Sequence, residues 1–304
     1  MNHSILQHLS PSYPWKDRFH YFSTTDSTND RLRAMARQGA PHGTLLLAGH
    51  QTGGHGRRGR SFHSPEGMGI YMSILLRPQC APTELMHLTC AAAEAICNAV
   101  EKACGFRPGI KWTNDLVHEK RKLGGILTEL GFTPRGELDY AIIGIGINCC
   151  QKIDDFPEDI RSIAGSLSMV TGTGIDRSRV AAAMMEALWK MDERLLTGQQ
   201  EILSAYRKDC ITLGQDISLV RGEEVRYGTA LDIDCTGALV VRFADGKVEA
   251  VNSGEVSVRG MYGYIRCRKI QIFTNCSLQF ASPLVILILT QKYNPGGNCY
   301  ESCN

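Results

Sequence analysis

Eight consecutive residues, Gly53-Gly54-His55-Gly56-Arg57-Arg58-Gly59-Arg60, hold four glycines and three arginines, a composition that no buried strand or helix tolerates. They follow directly on the apolar segment Thr44 to His50, so the chain must leave a strand and open into a loop. Glycine admits positive φ and close approach of the backbone to a ligand, and arginine presents a planar cationic fork that matches carboxylate and phosphate oxygens. The run therefore predicts an anion-cradling loop. Taken alone it fits a basic arm for nucleic acid or a solvated turn equally well.

Three further segments carry unusual polar content for their surroundings. Asp26-Ser27-Thr28-Asn29 precedes a helical pattern with Leu32, Met35 and Ala36 on one face. Lys111-Trp112-Thr113-Asn114-Asp115-Leu116 is followed by Arg121-Lys122-Leu123-Gly124-Gly125-Ile126-Leu127-Thr128-Glu129. Gly144-Ile145-Gly146-Ile147-Asn148 closes the apolar run that begins at Ala141. In this order and at these separations, the four motifs together resemble the biotin protein ligase family over about residues 19 to 260. The resemblance is to its short, monofunctional branch without the N-terminal DNA-binding domain.

Composition agrees with a cytoplasmic enzyme. A chain of 304 residues is long enough for about two domains. A net charge of +2 argues against a strongly basic nucleic-acid binder, and Met1 to Trp15 lacks the pattern of a secretory signal. Of the twelve cysteines, Cys90, Cys97 and Cys104 recur every seven residues and read as small apolar positions of one helix rather than a disulfide framework. Cys149-Cys150 has no His or Cys at ligand spacing, so no metal site is expected.

The pattern predicts an α+β layer followed by an all-β module. Phe19 to Ser23, Thr44 to His50, Ile70 to Arg77, Ile110 to Trp112, Leu123 to Leu130 and Tyr140 to Asn148 read as strands, the last two central because they are almost continuously apolar. Asp26 is expected to cap the helix that ends near Gly39-Ala40-Pro41. Thr83 to Cys104 is the clearest helix, stopped by Gly105, and two more, Arg179 to Thr197 and Gln199 to Cys210, should cover one face. Five short alternating segments from Ile217 to Arg259, with glycine turns between them, predict a barrel of about fifty residues. The family resemblance implies a mixed sheet covered by helices, of the class II aminoacyl-tRNA synthetase and biotin ligase type, over residues 1–212, and an SH3-like barrel over 213–264. Residues 265–304 fit neither; their apolar run Leu284 to Leu289 is far shorter than the roughly 20 residues that span a bilayer.

The resemblance also implies roles. Ser27, Thr28, Asn29 and Gln51 would bind the ureido ring of biotin, although the first three read alone as a capping sequence and Gln51 as a strand end. Gly54, Arg57 and Arg60 would surround the reactive carboxylate and phosphate, with Arg57 as the clamp and Arg58 beside it on the adenylate. His55 departs from the family, which commonly has Arg or Lys there. Lys122, otherwise a solvated edge lysine, becomes the catalytic cation, with Gly125 giving the ligand close access. Asn114 and Asp115 would serve the adenylate, Asp115 accepting from or orienting the attacking amine; Thr113 stands where the family usually has proline. Asn148 would touch adenine or ribose, and Phe62 and Trp112 are candidate aromatic walls.

The implied activity is conversion of biotin and MgATP to biotinyl-5′-adenylate, then transfer to a lysine of a biotin carboxyl carrier protein. Mg²⁺ would be held mainly by phosphates, with no protein metal ligands named. No nucleic-acid or membrane partner is expected, and a homodimer is compatible with the sequence. Two alternatives share parts of this reading. A lipoate or octanoate ligase has the same catalytic architecture, but a ureido-specific polar pocket is wasted on a hydrocarbon acid. A biotin-responsive regulator would need a DNA-binding unit, for which the roughly twenty residues before the first strand are too few.

Overall fold

The computed structural model describes residues 2–261; the expectations for residues 265–304, including Leu284 to Leu289, lie outside them. The runs read as strands pair into a seven-stranded sheet of order β1-β2-β3-β7-β6-β5-β4. Its members are β1 (Phe19–Thr25), β2 (Thr44–Gln51), β3 (Gly69–Leu76), β4 (Gly109–Lys111), β5 (Asp115–His118), β6 (Arg121–Phe132) and β7 (Leu138–Asn148). Only β1 and β2 run parallel; every other neighbouring pair is antiparallel. Strand β7 lies in the middle, as its apolar run predicts, with β3 and β6 on either side; β3 is buried along its whole length, whereas β6, also expected to be central, is only partly buried.

Seven helices surround the sheet among the described residues: α1 (Asn2–His8), α2 (Thr28–Arg37), α3 (Leu88–Cys104), α4 (Glu158–Arg161), α5 (Leu167–Thr171), α6 (Arg177–Arg194) and α7 (Gln199–Asp209). The main core lies where α3, α6 and α7 cover one face, with Ala92, Ile96, Met184 and Tyr206 fully or almost fully buried there. A smaller cluster, built on Leu32 and Ala36 of α2 with Leu46, Leu75 and Ile142 from the sheet, covers part of the other face. Each fully buried leucine or isoleucine contributes about 1.5–3 kcal/mol. Because α2 is short, the remainder of its face stays open, and the candidate site occupies that opening.

Several local expectations need correction. Ser27, not Asp26, caps α2: its Oγ accepts from the Asp30 N–H. The Asp26 carboxylate is already engaged by the Ser27 N–H and the Thr25 hydroxyl, contacts that hold it below the ordinary carboxylate range. The helix expected over Thr83 to Cys104 divides into a 3₁₀ turn at Pro82–Leu85 and α3, separated at the buried His87, which hydrogen bonds the Leu195 carbonyl. It stops where expected, with Gly105 at φ +77°. Strand β5 was hidden inside what reads as an Asn-Asp turn. The Trp112–Thr113 peptide is cis.

The C-terminal strands, β8 (Asp216–Arg221), β9 (Glu224–Ile233), β10 (Leu239–Phe243), β11 (Val248–Val251) and β12 (Glu255–Val258), form an antiparallel sheet of order β11-β10-β9-β8-β12. All five match the predicted segments to within about two residues. The apolar core continues into this module, since Ile217, Leu219 and Leu239 belong to the same cluster as α3. Gly237 makes a close join: it sits at φ +84°, and a Cβ there would come 2.9 Å from Cys90 Sγ of α3.

Candidate active site

At the start of α2, Ser27, Thr28 and Asn29 are 2–4% exposed, so each polar atom needs a partner. The Thr28 backbone N–H and hydroxyl both donate to Gln51 Oε1, at 2.8 and 3.0 Å. Gln51 Nε2 donates onward to Ser64 Oγ at 3.1 Å, and Ser64 to the Phe62 carbonyl at 2.9 Å. Ser73 Oγ lies 2.7 Å from Thr28 Oγ1 and 2.6 Å from Asn29 Oδ1; its single proton serves one of them at a time. Asn29 Nδ2 donates to Glu129 Oε2 at 2.7 Å. This cluster is preorganised and polar on a face that is otherwise apolar.

The floor beneath it is glycine. A Cβ on Gly144 would lie 2.1 Å from Asn29 Oδ1, and one on Gly146 would lie 2.5 Å from the Phe62 ring. Only a strand without side chains at these positions lets α2 and the loop pack down on it. Gly144→Ala should therefore displace Asn29 and destabilise the fold by about 1–3 kcal/mol. A denaturant unfolding curve checks this, and an unchanged midpoint would show that α2 and the strand take up the methyl group without moving.

At the other end, Lys122 Nζ donates to Asp115 Oδ1 at 2.6 Å. A bulge between Leu116 and Val117 sets Lys122 opposite Val117 while Gly125 pairs with Asp115. Gly125 therefore lies beside the ion pair; a Cβ there would stand 3.4 Å from Lys122 Nζ and 3.6 Å from Asp115 Oδ1. Lys111 of β4 is in register with Asp115. It is 6% exposed; burial lowers its pKa, and the Asp115 charge opposes that shift. Asp115 thus organises two lysines.

The glycine–arginine loop is tied back at Gly53 to the Asp26 carbonyl and at Phe62 to the Gly54 carbonyl, both at 2.8 Å. Gly54 has no room for a side chain, because a Cβ would meet Ser64 Oγ at 2.7 Å and the Phe62 carbonyl at 2.8 Å. Arg57 turns inward, and its Nη1 donates to Asn114 Oδ1 at 2.9 Å. Asn114 Nδ2 in turn donates to the Ile126 carbonyl at 3.1 Å. Burial, then the neighbouring Arg58, lower the Arg57 pKa while Asp115 opposes the shift; the guanidinium stays protonated and gains from any anion placed beside it.

The polar cluster borders a cavity whose walls include Ser27, Thr28, Asn29, Gln51, Phe62 and Asn114 and whose floor includes Gly125, Gly144 and Gly146. Lys122 lies next to Gly125 and Arg57 bonds Asn114, so both adjoin residues of this cavity without lining it. Arg57 borders a second cavity of about 250 Å³, which reaches Trp112 and the Thr236–Ala238 turn and shares Ile126 and Leu127 with the first.

Four expected residues lie apart from this centre. Arg58, at φ +57°, reaches the Val220 carbonyl, and the largely exposed Arg60 pairs with Glu255. Trp112 is buried, with its indole N–H donating to the Gly237 carbonyl at 3.0 Å. Asn148 is buried as well: its Nδ2 donates to the Gly165 carbonyl and its Oδ1 accepts from Gln151, so it ties down the segment before α5. Glu129, Ser73, Ser64 and Lys111 belong to the site although no motif reading assigned them a role. Ser73 had a legible signal, a hydroxyl in the middle of a wholly apolar strand.

Comparison with known proteins agrees with this geometry. Residues 21–148 match the model of the biotin/lipoate A/B protein ligase family, and residues 212–259 match that of the biotin protein ligase C-terminal domain. The chain is 35% identical to the bifunctional ligase/repressor BirA of Bacillus spizizenii, over 78% of this chain and 73% of that protein. It is 30% identical to the biotin–[acetyl-CoA-carboxylase] ligase of Mycobacterium tuberculosis, over 76% of this chain and 85% of that one. Among solved structures, biotin protein ligase from Aquifex aeolicus in complex with biotin and ATP superposes with a TM-score of 0.67 at 29% identity, covering 79% of this chain and 98% of that one. Motifs, fold and relatives converge: the chain belongs to the biotin protein ligase family.

Proposed function

We propose that the protein activates biotin with MgATP and transfers it to one lysine of a biotin carboxyl carrier protein, in the cytoplasm. The observation that carries this reading is a cavity lined by the preorganised polar cluster of Ser27, Thr28, Asn29 and Gln51 and bordered by Gly125 and Asn114, the two residues against which Lys122 and Arg57 lie. The ring would sit against Ser27, Thr28, Asn29 and Gln51, over Gly144 and beside Phe62. Its valeryl chain would lead past Gly54 and Gly125 to the cations.

In the first step a biotin carboxylate oxygen attacks the α-phosphorus, and the bond to pyrophosphate breaks. Both reactants are anionic, so Lys122 and Arg57 act first by cancelling their repulsion and then by stabilising the charge that builds on the phosphoryl oxygens. In the second step the neutral carrier amine attacks the acyl carbon, the bond to AMP breaks, and Asp115 takes or orients the departing amine proton. A carboxylate is a poor acyl donor; AMP supplies the leaving group, so no protein nucleophile is needed. Mg²⁺ would enter with ATP, held mainly by phosphate oxygens, and would supply charge neutralisation there. Asn114 holds Arg57 in position. The chemistry lies in the domain proposed for residues 1–212, and β8–β12 form the small antiparallel module packed against it.

Arg57→Gly separates formation of the adenylate from its retention. The mixed anhydride must be kept dry until the carrier docks, and one charge-assisted contact is worth about 1.5–3 kcal/mol, or roughly a ten- to hundredfold longer hold. The variant should still form biotinyl-adenylate but release it faster, so that serum albumin present in the reaction becomes biotinylated on exposed lysines. Streptavidin blotting reads this out; unchanged adenylate dissociation with no bystander labelling would place Arg57 away from the ligand.

The experiment for the function itself is ATP–pyrophosphate exchange. Exchange that depends on biotin supports the proposal, and its absence with active, folded protein rejects it.

A further inference from the structure

We propose that Glu129 is a positioning residue that fixes which end of the Asn29 carboxamide faces the cavity, and so sets the donor–acceptor pattern the pocket accepts. The proposal rests on the assignment of this cavity to biotin. Asn29 Nδ2 is 2.7 Å from Glu129 Oε2. A carboxylate only accepts, so the nitrogen end of the amide must face it. The second Glu129 oxygen receives Arg33 Nη2 at 2.7 Å, while Arg33 Nη1 holds Asp30 Oδ1. The acid is therefore anchored from α2 as well and cannot turn away without breaking a charge-assisted pair.

With its nitrogen committed, Asn29 directs Oδ1 over Gly144, the cavity floor. Ser73 occupies one side of that oxygen at 2.6 Å, and a carbonyl has a second lone pair to offer. The pocket thereby presents an acceptor at this point, which matches a ureido N–H and opposes an oxygen.

Glu129→Gln should reverse this polarity without changing volume. Arg33 has only donors and will take the oxygen of the new amide, leaving its NH₂ towards α2. Asn29 then turns its own oxygen to that NH₂ and its nitrogen to the cavity, where the Ser73 hydroxyl can accept.

The test measures, by isothermal titration calorimetry, binding of biotin and of the two cyclic carbamates in which one or the other ureido N–H is replaced by a ring oxygen. The wild-type protein should bind at least one carbamate about a hundredfold or more weakly than biotin. In Glu129→Gln, biotin should weaken by roughly tenfold or more, and the penalty for that carbamate should shrink by at least about tenfold. Glu129→Asp, which keeps an acceptor-only group, should retain the penalty. A purely structural role would weaken all ligands by the same factor, and an unchanged biotin-to-carbamate ratio in Glu129→Gln overturns the proposal. Equal binding of biotin and both carbamates by the wild type overturns it too. If the wild type binds no biotin, the assignment of the cavity itself fails. Should Glu129→Gln not fold, the wild type still decides: its Asn29 side-chain amide protons, followed by NMR in ¹⁵N-labelled protein, should exchange slowly with solvent, and rapid exchange of both rejects the contact.

Discussion

Lys122→Ala should lower the rate of biotinyl-adenylate formation by about 10²–10³-fold or more, the loss that follows removal of a single preorganised donor to a developing charge. The effect belongs to the transition state. Lys122 lies next to Gly125, with its Nζ held by Asp115 at 2.6 Å, so it meets the reacting oxygens with little reorganisation. Its contribution to stability should be small, because the side chain is 30% exposed and partly solvated ion pairs contribute about 0–1 kcal/mol. Asp115 also keeps Lys111 as its register neighbour. Single-turnover adenylation and a thermal melt measured on the same sample separate the two effects. Adenylation within tenfold of wild type would make Lys122 an ordinary edge lysine.

A second large effect concerns substrate choice. Lipoate presents a dithiolane where biotin presents a ureido ring, and it would leave Asn29, Thr28 and their neighbours facing an apolar group. A site built to hydrogen bond its substrate rejects an analogue that lacks those groups by about 10⁴ or more, because its buried polar atoms go unpaired. Biotin and lipoate should therefore differ by that factor in kcat/KM for pyrophosphate exchange. Comparable values would move the chain to the lipoate side of the family, and the polar cluster on α2 would then need another explanation.

Much of the fold was legible because the local signals were strong. The almost unbroken apolar run of β7 predicted a central strand, and Gly105 marked the end of α3. The five C-terminal strands followed from alternation between glycine turns. Strand β5 was not legible, since four residues beside Asn114 carry no periodicity of their own and are fixed by pairing with Gly124 and Gly125. The capping of α2 was misread for a related reason: Asp and Ser are both good caps, and the choice between them depends on Asp26 being engaged by Thr25 and Ser27.

The site divides the same way. Motif spacing singled out Ser27, Thr28, Asn29, Arg57, Asp115 and Lys122, and the fold gathers them around one cavity and the cations behind it. Spacing could not reveal that Glu129, one hundred residues after Asn29, completes the carboxamide, nor that Lys111 lies beside Asp115. Those are consequences of strand register, which a single chain does not print. Asn148 shows the converse, a motif residue whose hydrogen bonds are spent on the segment before α5.

The central claim is the transfer of activated biotin to one chosen lysine. It is tested most directly by incubating the purified protein with biotin, MgATP and a biotin carboxyl carrier domain, and reading the carrier by intact-protein and peptide mass spectrometry. The account predicts one biotinyl group per carrier, on a single lysine, dependent on both ATP and biotin. A carrier left unmodified while the protein turns over ATP with biotin, or modification by lipoate in place of biotin, would contradict it.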